Sequence, residues 1–399
     1  MITAQAFCDR AKLAGFSLYT GVPCSYVKPF INFVIDAPDL AYIGAANEGD
    51  AVAIATGAEL AGAHATVMMQ NSGLGNAVSP LTSLNAVFRI PVLLIVTLRG
   101  EPGGPHDEPQ HELMGAITTA MLETMNIAWD WFPVEESQVG AALDKAVLHM
   151  SETRLPFCLV MRKDSVAPYE LRSAPHADRG TNGGAVGGRE RAGPTAAGAT
   201  GAAMAPAKPT ERPSRAEALW AIQQAVVPED IVIATTGYTA RELYACDDRP
   251  NQLYVVGSMG CASSVGLGMA WARPDRRVIV IDGDGAMLMR LGALATLAHE
   301  RPTNLVHVLL DNEAYESTGG QSTVSRAMDL ADVARSCGYE NVARVATPGQ
   351  LEALLRDRRP GLRFISLKTR PGVLADLPRP KVTPPEVARR ITATLGRPA

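Results

Sequence analysis

Short apolar runs alternate with helix-like stretches along two parts of the chain. In the first part they predict strands at residues 16–20, 40–43, 65–69, 91–98, 127–131 and 157–161, with helical patterns between them such as 50–61 and 139–150. In the second part they predict strands at residues 231–235, 253–256, 278–281, 305–310, 342–346 and 363–367, with helical patterns such as 286–300 and 348–356. Runs of Val, Ile and Leu without polar alternation indicate strands buried on both faces. Strands that alternate with helices predict an α/β fold of two doubly wound, mostly parallel sheets.

Residues 173–214 differ from the rest of the chain. They contain no Phe, Tyr or Trp, and the only apolar side chains larger than Ala are Val186 and Met204. Such a segment buries too little apolar surface to offset its ordering entropy, so it is predicted to be a flexible linker. A coil of this length spans roughly 35 Å and would allow several arrangements of its neighbours. The predicted domains are therefore residues 1–172 and 215–399.

Composition narrows the class of protein. The chain has 399 residues, is 47% hydrophobic and 20% charged, and carries a formal net charge of −4. This balance is typical of a soluble globular protein and argues against nucleic acid as a partner. No apolar run approaches the ~20 residues of a membrane-spanning helix, so no membrane association is expected. Charged residues near the N-terminus argue against a signal peptide, and the six dispersed cysteines suit reduced thiols, which together predict a cytoplasmic protein.

The sharpest candidate site follows the predicted strand 278–281, where Gly283, Asp284 and Gly285 lead into a helix. Glycines allow a tight turn, and a helix N-terminus attracts phosphate. A carboxylate beside a phosphate needs a cation between them, which implies Mg²⁺. The next strand ends before Asn312, whose amide oxygen would lie beside Asp284 if the two strands are neighbours, and the carbonyl of Ala314 is a third candidate ligand. Taken alone, Gly-Asp-Gly is equally well explained as a turn.

These residues resemble the signature of the thiamine diphosphate-dependent enzymes, which is Gly-Asp-Gly followed further on by Asn-Asn. Here Asp311 replaces the first Asn, while the positions of the family's metal ligands match Asp284, Asn312 and Ala314. The resemblance extends to Gly257, whose carbonyl would accept a hydrogen bond from the cofactor, and to Met259, which would support the bent cofactor. Core packing is the plainer explanation of Met259.

The first part of the chain supplies a candidate for proton transfer. Glu48 follows Asn47 after the predicted strand 40–43. Helix capping by Asn47, with Glu48 stabilised by the helix dipole, explains this pair without any catalytic role. The resemblance implies in addition that Glu48 hydrogen-bonds the pyrimidine ring of thiamine diphosphate and promotes its activation. A pyrimidine-binding and a pyrophosphate-binding domain are then joined by the linker, and the resemblance covers nearly the whole chain outside it.

The linker lies where large members of the family have a third domain, which points to the compact 2-oxo acid decarboxylases. Residues 99–103, 106–111 and 316–321 are similar to the phosphonopyruvate decarboxylases of this family, with the sulfopyruvate decarboxylases, often split into two subunits, as close relatives. The resemblance implies conversion of phosphonopyruvate to phosphonoacetaldehyde and CO₂, in the biosynthesis of phosphonate natural products such as antibiotics. Sulfopyruvate or another 2-oxo acid, a carboligase reaction, and a catalytically silent regulatory protein are the alternatives.

A small substrate with two anionic ends needs hydrogen-bond donors for both. The candidates are Arg99, Ser317, Thr318 and Gly319. Residues 71–76 are a further donor segment or simply a tight turn. The candidates for returning a proton after CO₂ leaves are His106 and His111, which are otherwise ordinary surface residues. Because the family builds its sites between subunits, the chain is expected to form at least a homodimer.

Overall fold

A computed structural model describes residues 1–173 and 212–396. The predicted linker, residues 173–214, lies outside the described residues except for its two ends. The backbone N–H of Ser173 donates to Asp36 at 2.9 Å, and Arg212 pairs with Glu313 at 3.1 Å. Ser214 caps the helix that follows. The boundaries at residues 172 and 215 stay predictions.

All twelve predicted parallel strands are confirmed. The strands are β1 (Phe16–Gly21), β2 (Ala41–Gly44), β3 (His64–Gln70), β4 (Leu93–Thr97), β5 (Ala128–Trp131), β6 (Phe157–Met161), β7 (Ile231–Ala234), β8 (Gln252–Tyr254), β9 (Val278–Gly283), β10 (Leu305–Asp311), β11 (Ala314–Tyr315), β12 (Gln321–Ser322), β13 (Asn341–Val345) and β14 (Arg363–Lys368). The first sheet has the order β2-β1-β3-β4-β6-β5 and the second β13-β14-β10-β9-β7-β8, with neighbours parallel. The antiparallel hairpin β11–β12 stands apart from both sheets.

Helices cover both sheets. They are α1 (Ala4–Leu13), α2 (Lys28–Asp36), α3 (Glu48–Leu60), α4 (Leu74–Pro80), α5 (Ala86–Phe88), α6 (Glu112–Thr124), α7 (Glu136–Thr153), α8 (Arg215–Ala225), α9 (Tyr238–Cys246), α10 (Ala262–Ala272), α11 (Asp284–Met289), α12 (Gly292–Glu300), α13 (Leu330–Cys337), α14 (Pro348–Arg356) and α15 (Pro384–Thr394). In the part of the chain that the structure describes, no helix is long and apolar enough to cross a membrane.

The two halves pack together through α3 and α10. Residues 49–60 of α3 are all buried, which is unusual for a helix with one sheet-facing side. Small residues allow the two backbones to approach closely: a methyl group on Gly57 would overlap the carbonyl of Val265, and one on Gly268 would overlap the carbonyl of Ile54. One hydrophobic core therefore runs through both halves.

The prediction of a single helix over residues 286–300 is wrong. The structure has α11 and α12 here, because Arg290 leaves the helical conformation at φ −132° and ψ 52°. Its guanidinium crosses to the first half, where it donates to Asn47 Oδ1 at 2.7 Å and pairs with Asp50 at 3.3 Å. A contact between the two halves thus overrides local helix propensity.

Candidate active site

The strands that carry Asp284 and Asn312 are neighbours. β9 pairs with β10 in parallel register, with Leu310 opposite Gly283, so both strands deliver their following residues to the same edge of the sheet. Asp284 begins α11 and is 2% exposed. The sheet geometry therefore brings together the carboxylate and the amide that the sequence predicts at this edge.

Two hydroxyl groups hold the Asp284 carboxylate. Thr323 donates to Oδ2, and Ser325 donates to the same oxygen at 3.1 Å. Ser325 also contacts Asp311 Oδ1 at 3.0 Å, which joins the two acidic side chains. Burial, opposed by these hydroxyls and reinforced by the charge of Asp311, raises the pKa of Asp284. Nothing in the sequence pattern pointed to Thr323 or Ser325.

Asp311, which departs from the family's signature, has its own cation. Lys368, the last residue of β14, donates to Asp311 Oδ2 at 2.6 Å and to Glu313 at 2.9 Å. Asp311 is 1% exposed. Although burial opposes it, the contacts with Asp311 and Glu313 raise the pKa of Lys368. The extra negative charge is therefore balanced within the fold.

Asn312 is oriented by its neighbours. Its Nδ2 donates to Glu316 at 3.1 Å, and its Oδ1 accepts from the Ala314 N–H at 3.2 Å. With the Asp284 carboxylate, an amide oxygen and the Ala314 carbonyl form a set of hard oxygen donors, which is what Mg²⁺ prefers. A side chain on Gly283 would meet nothing within 4 Å, so the site has open space beside these oxygens. The donor chemistry fits a Mg²⁺-diphosphate group.

A strained turn places Met259 over this site. Gly257, Ser258 and Gly260 have φ values of 68°, 43° and 90°. Ser258 N–H donates to Ser83 Oγ at 2.9 Å, which fixes the turn against the first half. The terminal methyl of Met259 lies 3.2 Å from where a Cβ of Gly285 would be, and the Tyr315 ring lies 2.4 Å from it, so only Gly fits there. Met259 is thus close to the Gly-Asp-Gly turn, whereas Gly257 lies against Ser83 of the first half.

Glu48 is the first residue of α3. Asn47 is the N-cap and accepts from Gly49 N–H at 2.8 Å, so the capping interpretation of this pair is correct as far as it goes. The Glu48 carboxylate accepts from Asn76 at 2.8 Å, and Gly73 leaves it room because a Cβ there would collide with it. Gly73 and Asn76 of the segment 71–76 therefore lie against Glu48.

The structure does not join Glu48 to the metal-binding edge within one chain. Among residues 1–173 and 212–396, no hydrogen bond or ion pair links it to Asp284 or Asn312. Beside Glu48, the contact between the halves is made by Arg290, which pairs with Asp50. Burial raises the pKa of Asp50 to about 6, although the pairing with Arg290 lowers it.

Arg99 and His111 share one carboxylate. Arg99 donates from Nε to Asp107 at 2.6 Å, binds it again through Nη2, and contacts Ser25 at 3.0 Å. His111 is buried, with Nδ1 2.9 Å from the same Asp107. The hydrogen bond from Arg99 lowers the pKa of Asp107 well below its usual range. His106 is exposed. Asp107 is not among the predicted site residues, although it lies in the same segment as both histidines.

Ser317, Thr318 and Gly319 form the exposed tip of the β11–β12 hairpin. Thr318 Oγ1 donates to the carbonyl of Tyr315 at 3.1 Å. Gly319 has a φ of 117°, which only glycine adopts without strain. The hairpin follows the Asn312 segment directly, so its tip lies close to the metal-binding edge in sequence and is tied to it by Glu316.

Both halves match the models of one protein family. Residues 1–119 match the thiamine pyrophosphate enzyme, N-terminal TPP binding domain, and residues 235–365 match its C-terminal TPP binding domain. The chain belongs to the family of thiamine pyrophosphate enzymes. Thiamine pyrophosphate is another name for thiamine diphosphate, and it is the cofactor, with Mg²⁺, that this family uses.

Particular relatives extend over almost the whole chain. Phosphonopyruvate decarboxylase of Streptomyces viridochromogenes is 41% identical over 96% of this chain and 92% of its own length. Sulfopyruvate decarboxylase of Methanosarcina acetivorans is 30% identical, over 96% of this chain and 95% of its own. The solved structure of benzoylformate decarboxylase from Polynucleobacter necessarius superposes with a TM-score of 0.68 at 14% identity, covering 94% of this chain and 100% of that one, which shows a shared fold.

Proposed function

We propose that the chain is a thiamine diphosphate- and Mg²⁺-dependent decarboxylase that converts phosphonopyruvate to phosphonoacetaldehyde and CO₂. The observation that carries this proposal is the 41% identity to a phosphonopyruvate decarboxylase along nearly the full length of both chains. A role in phosphonate natural-product biosynthesis follows from that substrate. The six free cysteines are consistent with a cytoplasmic location, where thiols stay reduced.

In this proposal Asp284, Asn312 and the Ala314 carbonyl hold Mg²⁺, and Gly283 and Gly285 let the backbone approach the diphosphate. Met259 supports the cofactor, and the Gly257 carbonyl accepts a hydrogen bond from the cofactor's amino group. When bound, thiamine diphosphate supplies the electron sink that loss of CO₂ requires. Glu48 holds a proton at a pyrimidine nitrogen, and Asn76, at 2.8 Å, keeps the carboxylate in one orientation.

The loop from Arg99 to His111 is proposed to handle the substrate. A guanidinium can bind two oxygens of a phosphonate, and Asp107 fixes its plane by a bidentate contact. Because Nδ1 of His111 is hydrogen-bonded to Asp107, a proton would be delivered to the substrate from Nε2 of that ring. His106 is the second proton-donor candidate, and Ser317, Thr318 and Gly319 offer donors to the other end of the substrate.

A side-by-side turnover assay tests the proposal. Purified protein with thiamine diphosphate and Mg²⁺ is offered phosphonopyruvate, sulfopyruvate and pyruvate, and CO₂ and aldehyde are measured. We expect kcat/KM to be highest for phosphonopyruvate. Higher kcat/KM for sulfopyruvate would favour the second candidate, which the 30% identity to a sulfopyruvate decarboxylase supports. A bound cofactor with no turnover of any 2-oxo acid would favour a regulatory role.

We also propose that two copies of the chain share each site, with Asp284 from one and Glu48 from the other. The support is that Glu48 is held by Asn76 of its own half and by no residue of the metal-binding edge among the described residues. Val256 and Met289, which flank Gly257 and Arg290 in sequence, are 48% and 60% exposed and suit a covered surface. Sedimentation at assay concentration tests this, and a fully active monomer would contradict it.

A further inference from the structure

A buried ion cluster connects the metal-binding edge to the first helix of the second half. Arg215 lies in the first turn of α8 and is 6% exposed. It donates from Nε and Nη2 to the two oxygens of Glu242 at 2.9 and 3.0 Å, and from Nη1 to Glu316 at 2.6 Å. Glu242 is 1% exposed. These three side chains are far apart in sequence, and only Glu316 lies in a segment, residues 316–321, that carries the resemblance.

Glu316 links this ion cluster to Asn312. The oxygen of Glu316 that Arg215 binds also accepts from Asn312 Nδ2 at 3.1 Å. Its other oxygen accepts from the backbone N–H of Gly372. Both carboxylate oxygens are therefore occupied by donors on three separate segments, and the side chain is held in one position.

The orientation of Asn312 has a chemical consequence. The two ends of a carboxamide have nearly the same shape, but only the oxygen can bind a cation. A donor bond from Nδ2 to a fixed carboxylate prevents the amide from turning over, so Oδ1 stays on the side away from Glu316, where the Ala314 N–H contacts it at 3.2 Å. Partners behind metal ligands fix ligand orientation in this way in many metal sites.

We propose that Glu316, held by Arg215, is a positioning residue that keeps the Asn312 amide oxygen toward Mg²⁺. This rests on the proposed binding of Mg²⁺ by Asp284 and Asn312, and it adds a residue outside the ligand set. Arg215 acts through Glu316, and Glu242 balances the charge of Arg215, since a buried guanidinium needs a counter-ion.

Variants at Glu316 separate this role from a general effect on folding. Glu316→Ala removes the acceptor, while Arg215 keeps its bidentate contact with Glu242 and the fold should survive. Glu316→Gln keeps one oxygen, which satisfies either Asn312 or Gly372. The matched control is Asp248→Asn, which weakens the bidentate pair of Asp248 with Arg390 in the same half.

The measurement is the Kd of Mg²⁺ by calorimetric titration at saturating thiamine diphosphate, with the Tm of each metal-free protein alongside. We expect Glu316→Ala to raise the Kd about 10- to 100-fold. Glu316→Gln should lie between it and the unsubstituted chain, and Asp248→Asn should leave the Kd unchanged. An unchanged Kd in Glu316→Ala, or an equal rise in the control, overturns the proposal.

The same substitution in an Asn312→Asp chain is expected to change the Kd of Mg²⁺ in a direction that a general loss of structure would not produce. In Asn312→Asp either oxygen can bind Mg²⁺, and the new carboxylate is repelled by Glu316. Adding Glu316→Ala there should leave the Kd unchanged or lower it, and a further rise would overturn the proposal. Because the readout is Mg²⁺ binding, a chain that binds Mg²⁺ normally but does not decarboxylate phosphonopyruvate contradicts the proposed function and leaves this inference standing.

Discussion

Substituting Lys368 by Met tests how the fold tolerates Asp311. In the unsubstituted chain the Lys368 ammonium lies 2.6 Å from Asp311, which is 1% exposed, and 2.9 Å from Glu313. Met keeps the length and apolar body of Lys but removes the charge. Among the described residues, Asp311 would then keep the Glu313 N–H as a donor and share the single proton of the Ser325 hydroxyl with Asp284.

The expected loss in free energy of unfolding follows from how deeply Asp311 and Lys368 are each buried. Removing one partner of a fully buried ion pair costs about 3–5 kcal/mol. The Lys368 side chain is 37% exposed, so water reaches its end of the pair, and we expect a loss nearer about 2 kcal/mol. Asp311→Asn alone removes the buried charge but turns an NH₂ group toward Lys368, for a loss of about 1 kcal/mol.

The double substitution carries the test. With Asn at 311 and Met at 368 neither charge remains, so its loss should be smaller than the sum of the two single losses by about 1–2 kcal/mol. Urea unfolding of the four metal-free proteins at one pH measures this coupling. Arg363 begins the same strand, but its guanidinium is bound by the carbonyls of Leu354 and Asp357, so it does not replace the lost cation. Additive losses within about 0.3 kcal/mol would refute the reasoning that Lys368 compensates Asp311.

Three further predictions concern the helix pair, the proton relay and pH. Gly57→Ala or Gly268→Ala should each destabilise the chain by at least about 2 kcal/mol in urea unfolding, because the added methyl overlaps a carbonyl of the facing helix. Gly349→Ala is the matched control and should be neutral, because its methyl meets nothing within 4 Å. Glu48→Gln should keep thiamine diphosphate affinity within a few-fold while kcat falls by about 10²-fold or more, and unchanged turnover would contradict the relay. Burial raises the pKa of Asp284, so the metal-free chain should lose stability as pH rises through that pKa, whereas Mg²⁺ affinity should fall as pH drops through it, at higher pH than for an ordinary Asp. Urea unfolding of the metal-free chain and calorimetric Mg²⁺ titrations, each over a series from neutral to acid pH, check the two trends, and stability that rises with pH or Mg²⁺ affinity that does not change with pH would contradict them.

The strands could be predicted because their signal is local. Buried parallel strands such as β4 and β10 are continuous apolar runs, and that pattern does not depend on distant residues. The turn after β9 was equally readable, since glycines beside an aspartate at a strand end combine backbone freedom with a cation ligand. Asn312 beside Asp284 then followed from the register of two neighbouring strands.

The remaining features depend on contacts between distant segments. The break at Arg290 is caused by its contacts with Asn47 and Asp50, which are about 240 residues away in sequence. The engagement of Arg99 by Asp107 is closer in sequence, but it is one of several pairings that the loop composition allows. Such pairings are fixed by the folded backbone and leave no periodic trace in the sequence.

The glycine-lined crossing of α3 and α10 also has a meaning for how such a protein can be encoded. Gly57 and Gly268 allow the two halves to pack closely through helices α3 and α10. Both glycines lie far in sequence from positions 173 and 212, so the crossing does not require the halves to be joined by peptide bonds there. A gene split between these positions is therefore expected to yield two polypeptides with matching surfaces.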